Sequence, residues 1–296
     1  MNTAPTNIGA DMRSYRISTP MNEQRRQTEP MRIDIDLVRR IEQSSGAFAA
    51  QQAESIASIA PESSATAQSF DGGSLVAFGP GRYVNRAVGV GLGGTAAEEV
   101  VAAIDSFYGE RGMAPSLELS PWTDPATVRL LCTNGYRIDW FRNVFVAALP
   151  VEMTQPIEPH VIEQVTASTV PARQAILAGD AAVGTEARRI SDEMCETGLV
   201  LPDALDFLAL ADGEAAACGS LNTADGIGWI GGAATLATHR GRGLQTALIA
   251  HRLRLAHELG SDLAAATALP NGQSAQNLLR LGFQLLYTQV VLTKPV

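Results

Sequence analysis

The stretch THRGRGLQTALIAHRL, Thr238 to Leu253, sets two Gly-flanked arginines directly before a run with helical periodicity. Leu244, Leu248, Ile249, Leu253, Leu255 and Leu259 recur at helical spacing, which predicts a helix from about Gly243 to Leu259 lying against a sheet. The first turn of any helix leaves backbone N–H groups without intrahelical acceptors and carries partial positive charge. Glycines let a ligand approach that backbone closely, and arginines add charge and phosphate-matching donors. Arg240, Gly241, Arg242, Gly243, Leu244 and Gln245 therefore read as a seat for an anion, most naturally phosphate or pyrophosphate. The loop is neither of two common phosphate motifs. It has no Gly-Lys-Ser/Thr, and Thr246 stands where a dinucleotide loop needs its third glycine.

Outward from the loop, IGWIGGAATLA (227–237) reads as the strand before it, and DLAAATAL as the strand after the helix. A helix, NGQSAQNLLRLG, and a closing strand, FQLLYTQVVLTK, follow. Upstream, HVIEQVTA reads as a strand, 169–179 and 182–196 as helices, and DFLALADG with EAAACGSLNTADG as a hairpin across Gly213.

The first half repeats this pattern. SPWTDPATVRLLCTNGYRIDWFRNVFV (120–146) aligns without gaps on TALPNGQSAQNLLRLGFQLLYTQVVLT (267–293), pairing Asp124 with Asn271, Gly135 with Gly282 and Tyr136 with Phe283. The preceding helices also match, ending at Gly112 and Gly260. This predicts a duplicated strand–helix–strand–helix–strand unit, hence two similar domains. In detail, a helix is predicted over 33–60 with a break at Ser44-Ser45-Gly46, then strands SLVAFG (74–79) and YVNRAVGVGL (83–92) around the turn Gly79-Pro80-Gly81. A helix capped by Thr95 follows, then the strand SLELS and a helix with Asp124 as cap, Pro125 at its first position and Gly135 as stop. The first copy has GLGGTAA where the second has HRGRGLQ, so the arginines are not required by the fold. Residues 1–30 are polar and aperiodic and read as a disordered tail, with Met31 an alternative start. The domains are then 31–150 and 161–296, joined by a proline-rich linker, 151–160.

Composition narrows the function. The chain has 296 residues and 46% hydrophobic residues, enough to bury substantial cores. A net charge of −9 argues against a broad nucleic-acid surface. Cys132, Cys195 and Cys218 are too few and too scattered for a disulfide framework or a metal knuckle, and the histidines do not pair at metal spacing, so no metal is expected. No apolar run is long enough to span a bilayer and no signal stretch opens the chain, so the expected setting is cytoplasmic.

With its flanking strands and the Gly282-Phe283 that ends the next helix, Arg240-Gly241-Arg242-Gly243-Leu244-Gln245 resembles the signature of the GNAT N-acetyltransferase superfamily. The signature is Arg or Gln, two residues, Gly, one residue, then Gly or Ala; Gln245 departs from its last place. The resemblance covers roughly 160–296, and the first half looks like a degenerate copy. It implies an α/β fold of two GNAT-like domains, each a mixed central sheet flanked by helices. It implies acetyl-CoA as cosubstrate, with pyrophosphate on Arg240–Gln245, the pantetheine arm along Ala233–Leu236, and Ala234, Thr235, Leu236, Asn271 and Asn277 in contact. The acceptor would be a primary amine, on a small molecule or a peptide, attacking the thioester directly beside a polarising backbone N–H.

Many members place a Tyr seven residues after the helix-start Asn; here that position is Leu278. Asn277, Ser274 and Tyr287 are the polar candidates for assisting the leaving thiolate, which could also leave unassisted. Glu193, Glu196 and His239 are candidate bases, with a water chain as the alternative; Cys195 and Cys218 are expected in the core. A non-catalytic acyl-CoA-binding regulatory module is the competing reading.

Overall fold

Helix α1 (Ile35–Ile59) begins at Asp34, whose side chain accepts from the Leu37 N–H. The predicted break at Ser44-Ser45-Gly46 does not occur. Gly46 stays helical because α1 lies hard against the sheet: a Cβ there would sit 3.2 Å from Ser74 N and 3.3 Å from Val88 O. Ser44 faces inward and accepts from Trp229 Nε1 at 2.9 Å. The buried stripe includes Val38, Ile41 and Ile56, each contributing about 1.5–3 kcal/mol by leaving water. This computed structural model describes residues 31–80, 82, 84–114, 116–153, 157–179 and 184–294. The predicted disordered tail, 1–30, lies outside the described residues, as do 154–156 of the predicted linker. So do 81, 83 and 182–183, which fall in a predicted turn, strand and helix.

The strands are β1 (Thr66–Phe70), β2 (Gly73–Ala77), β3 (Arg86–Val88), β4 (Ser116–Leu119), β5 (Arg137–Ala148), β6 (Ile162–Gln164), β7 (Ala204–Ala211), β8 (Glu214–Ala224), β9 (Ile227–Thr235), β10 (Leu263–Ala268) and β11 (Gln284–Thr293). The remaining helices are α2 (Ala97–Gly109), α3 (Pro125–Thr133), α4 (Val170–Ala178), α5 (Glu186–Thr197), α6 (Leu244–Glu258) and α7 (Gln273–Arg280). β1 was not predicted, because TAQSF shows no apolar alternation. The Asp71-Gly72 turn behind it has positive φ at both residues (47° and 82°), the geometry an Asp-Gly hairpin favours.

Among the described residues the eleven strands form one mixed sheet in the order β1-β2-β3-β4-β11-β5-β10-β9-β8-β7-β6. Two separate sheets would be expected of two free-standing domains; instead each half lends its last strand to the other. β11 lies antiparallel to β4, β5 lies antiparallel to β10, and β5 and β11 pair at the centre. The pairing scheme repeats outward from that centre: β3 with β4 and β9 with β10 are parallel, while β2 with β3 and β8 with β9 are antiparallel.

Helices cover both faces. On one, α6 and α7 pack over Ala217, Ile230 and Ala264, and α2 and α3 over Leu75 and Leu117. On the other, α4 and α5 cover Leu208 and Cys218. α1 packs beside them over Val76 and Phe78. α1 also ties the halves together, through Glu42 to Tyr287 and Gln289 and through an Arg40–Asp262 ion pair.

Candidate active site

Parallel strands β9 and β10 pair over only three residues, Ile227–Trp229 against Leu263–Ala265. Beyond Trp229 each strand runs on without the other as partner, so the sheet opens into a cleft at their C-terminal ends. β9 also carries one residue more than β8 between the pairs Cys218–Ala234 and Ser220–Gly231. The extra residue makes a β-bulge at Gly232-Ala233, where Gly232 has φ of 52°. A side chain at Gly232 would strike the Ser220 hydroxyl, so only glycine fits. The bulge residues are exposed toward the cleft.

β9 leads into a short 3₁₀ turn, Ala237–His239, and then the glycine-rich loop. Gly241 and Gly243 have φ of 78° and 76°, and Gly243 caps α6 without any side chain accepting from the first-turn N–H groups. The first turn of α6 therefore has backbone N–H groups with no side-chain acceptor. Arg240 is exposed; Arg242 is half-exposed and held by Asp212 of the β7–β8 turn at 2.9 Å. Gln245 does not reach outward. Its Nε2 donates to Ala234 O at 2.7 Å, Cys218 O at 3.1 Å and Thr235 Oγ1 at 3.1 Å, bracing the end of β9 from beneath. Leu244 is buried under the helix.

The first half has the corresponding loop before α2, and two of that loop's backbone donors are taken by a carboxylate; the first turn of α2, like that of α6, has no side-chain cap. Asp71 accepts from Gly91 N at 2.8 Å and from Thr95 N at 3.0 Å, and Gly93 packs directly on its carboxylate. The predicted Thr95 cap is thus corrected: α2 starts after Ala96, and Thr95 donates its backbone N–H to Asp71 instead. In the second half the loop glycine Gly243 has His160 Nε2 and Glu158 Oε2 as its nearest side-chain neighbours, 3.5 and 3.8 Å from where a Cβ would lie.

The predicted polar candidates are scattered. Asn271, at φ 59°, lies in the turn before α7; Ser274 is exposed in the first turn. The Asn277 Oδ1 accepts from Gln273 and Arg280, leaving only its amide to donate outward. α7 follows the end of β10, so its start shares the sheet edge with the α6 mouth. Tyr287 belongs elsewhere: it is 6% exposed, packs on Trp122 and donates to Glu42 at 2.6 Å. Burial and that carboxylate push its phenol well above its ordinary range. Glu193 is held by Arg82 and Arg189, and Glu196 accepts from Gln174. His239 bonds Thr238 beside the loop. Burial pushes the Cys195 and Cys218 thiols up to about 11, so both stay protonated in the core. Among the described residues no group of three or more His, Cys, Asp or Glu could hold a metal, and no helix is long and apolar enough to cross a membrane.

Sequence reading missed the bulge, Asp71 and the buried Arg252 beneath β9. The pair Gly231-Gly232 within a predicted strand was the available signal for the bulge.

Comparison with known proteins bears on the family and the fold. Residues 178–283 match the model of the acetyltransferase (GNAT) family, from the end of α4 to Phe283. A GCN5-related N-acetyltransferase from Kribbella flavida superimposes with a TM-score of 0.55 at 23% identity, over 72% of this chain and 82% of that one. A GCN5-related N-acetyltransferase from Sphaerobacter thermophilus gives 0.51 at 17%, over 67% of each chain. A tandem GNAT protein from the clavulanic acid biosynthesis pathway gives 0.51 at 16%, over 75% and 73%. No curated protein matches the chain. The second half is therefore GNAT-like in sequence and the sheet GNAT-like in fold, which supports an acyltransferase of that type.

Proposed function

We propose that the chain transfers an acetyl group from acetyl-CoA to a primary amine, at a single site in its second half. The observation that carries this reading is the uncapped α6 mouth opening onto the cleft beside a bulged β9. The first-turn N–H groups of α6, with Arg240 and Arg242, would hold the pyrophosphate. The pantetheine arm would run along Ala233–Leu236, bringing the thioester carbonyl to the bulge, where strand N–H groups lack a ladder partner. The amine attacks the carbonyl carbon, the C–S bond breaks, and the thiolate leaves with the pair. Tyr287 is sequestered by Glu42, so it has no part in this step. Ser274 and the Asn277 amide remain as hydrogen-bonding groups near the thiolate, and water would carry the amine proton to bulk.

The first half we read as a duplicated copy, 31–150, whose loop before α2 lacks the arginines and is tied down by Asp71; 151–160 joins it to the working copy, 161–296. Its role is structural, supplying β5 beside β10 and α1 across the centre.

Calorimetric titration of acetyl-CoA into wild type and the double variant Arg240→Ala/Arg242→Ala tests the assignment. One site per chain, weakened at least about tenfold in the variant, is expected for loss of two charge-assisted contacts. Absence of binding to wild type would end the reading. Leu278 standing where many members place a Tyr favours a second reading, an acyl-CoA-binding regulatory module. Release of free CoA with any member of an amine panel rules it out.

A further inference from the structure

We infer that Gln245 and Arg252 of α6 clamp the β9 bulge from beneath, and that Arg252 strengthens the bulge as a hydrogen-bond donor to the thioester carbonyl. The inference rests on the acetyl-transfer reading.

Residues 245 and 252 lie two helical turns apart, on the face of α6 turned to the sheet. Each bridges a pair of cross-strand carbonyls flanking the bulge. Gln245 donates to Cys218 O and Ala234 O. Arg252 donates to Ser220 O at 2.9 Å and Gly231 O at 3.1 Å, and through Nε to Leu248 O. These strand pairs, Cys218–Ala234 and Ser220–Gly231, bracket the inserted residue.

Arg252 is buried to 1% exposure, and its hydrogen-bond acceptors are all carbonyls, none a carboxylate. A guanidinium without a bonded counter-ion is costly inside a protein. The chain makes room for it: a side chain at Gly219 would lie 2.6 Å from its Cζ. A purely packing role would be met by Leu or Met. The bulge explains the expense, because inserting a residue breaks the ladder and strands carbonyls that only a multi-donor side chain can satisfy together.

The consequence for chemistry lies in the peptide joining Gly231 and Gly232. Arg252 binds its oxygen; its N–H belongs to the bulge. A cationic donor on the carbonyl polarises the whole peptide group and makes its N–H a stronger donor. Burial lowers the guanidinium to about 10, so it remains charged at neutral pH. Asp206, paired with Arg173 at 3.1 Å on the other face, favours the charged form of Arg252 through space without bonding to it. Arg252 is a positioning residue: it touches no substrate and acts through the backbone.

Carbonyl-labelled acetyl-CoA bound to the protein reports the effect by difference infrared spectroscopy, with calorimetry on acetyl-CoA and on CoA, which lacks the acyl group. In wild type the thioester stretch is expected to fall in frequency on binding. Arg252→Met should lose at least about half of that fall, while CoA affinity stays within about twofold, since only the donor at the carbonyl is weakened. Arg252→Lys, which keeps the charge, should retain more of it. An undiminished shift in Arg252→Met overturns the inference, as does a parallel loss of CoA and acetyl-CoA affinity, which would mark a merely structural role. Arg252→Gln, which keeps a donor for Gly231 O but not the charge, is read by the same criteria should Arg252→Met not fold. Wild type that binds neither ligand overturns the acetyl-transfer reading itself, and the inference with it.

Discussion

Glu42 is wholly buried where α1 crosses the joint of the sheet, accepting from Tyr287 and from Gln289 Nε2 at 2.6 and 2.9 Å. Desolvation raises its carboxyl from 4.5 to about 7, against the pull of those two hydrogen bonds. The folded state therefore holds an extra proton between those values. Stability from this group is complete below the unfolded pKa and is lost as pH rises toward 7, by roughly 3 kcal/mol in total. Wild type should thus unfold at lower denaturant at pH 8 than at pH 5. Glu42→Gln should flatten that difference and be the more stable protein at pH 8; denaturant titrations at both pH values decide it, and an equal slope in the two proteins contradicts the assignment. At the site itself, Arg242 is restrained by exposed Asp212. Asp212→Asn should tighten acetyl-CoA binding by about two- to fivefold at low salt, the scale of a surface ion pair, and the gain should fade in 0.5 M salt. Isothermal titration at two salt concentrations measures both.

Among elements, the legible ones carry their own local chemistry. Asp124 caps α3 through the Ala126 N–H with Pro125 behind it, and Gly135 and Gly282, at φ 90° and 89°, stop α3 and α7 where the repeat places them. The α6 mouth was legible for the same reason: a helix start with two glycines and no side-chain cap is written in neighbouring residues. What was not legible depends on remote partners. Gly46 looks like a helix breaker until Ser74 and Val88 are set beside it. Gln245 looks like a flaw in the motif until Cys218 and Ala234 present their carbonyls. Tyr287 looks free until α1 brings Glu42 from the other end of the chain. The contact at Gly46 makes a prediction for α1. Gly46→Leu should improve helix propensity by about 1 kcal/mol yet destabilise the protein by about 2–3 kcal/mol, because backbone on β2 and β3 cannot withdraw. Thermal unfolding that showed Gly46→Leu as stable as wild type would mean α1 is less tightly seated than described.

For the molecule as a whole, the decisive feature is the exchange of final strands. The sequences of β5 and β11 align without gaps and each closes one half of the chain, so local pattern allows either beside β4 or β10. Local pattern cannot choose between closing each half on itself and closing each on the other. The structure chooses exchange: β5 runs beside β10 over six residue pairs, β11 beside β4 over four, and the two strands pair with each other over nine. Removing either half would strip the strand from β4 or β10 and expose a full row of backbone donors and acceptors. The whole of Ile33–Val296 should accordingly unfold in one cooperative transition rather than two. A protease site introduced at Met153, between β5 and β6, sharpens the test. The cut chain should stay together on gel filtration and keep nearly all of its acetyl-CoA affinity, since the strands hold the halves and the linker does not. Residues 161–296 expressed alone should fail to give a folded monomer, because β10, which carries one wall of the cleft, would have neither β5 nor its own β11 already in place. A folded, acetyl-CoA-binding monomer from that fragment would show that β11 can return to β10, and that the first half is dispensable to the site.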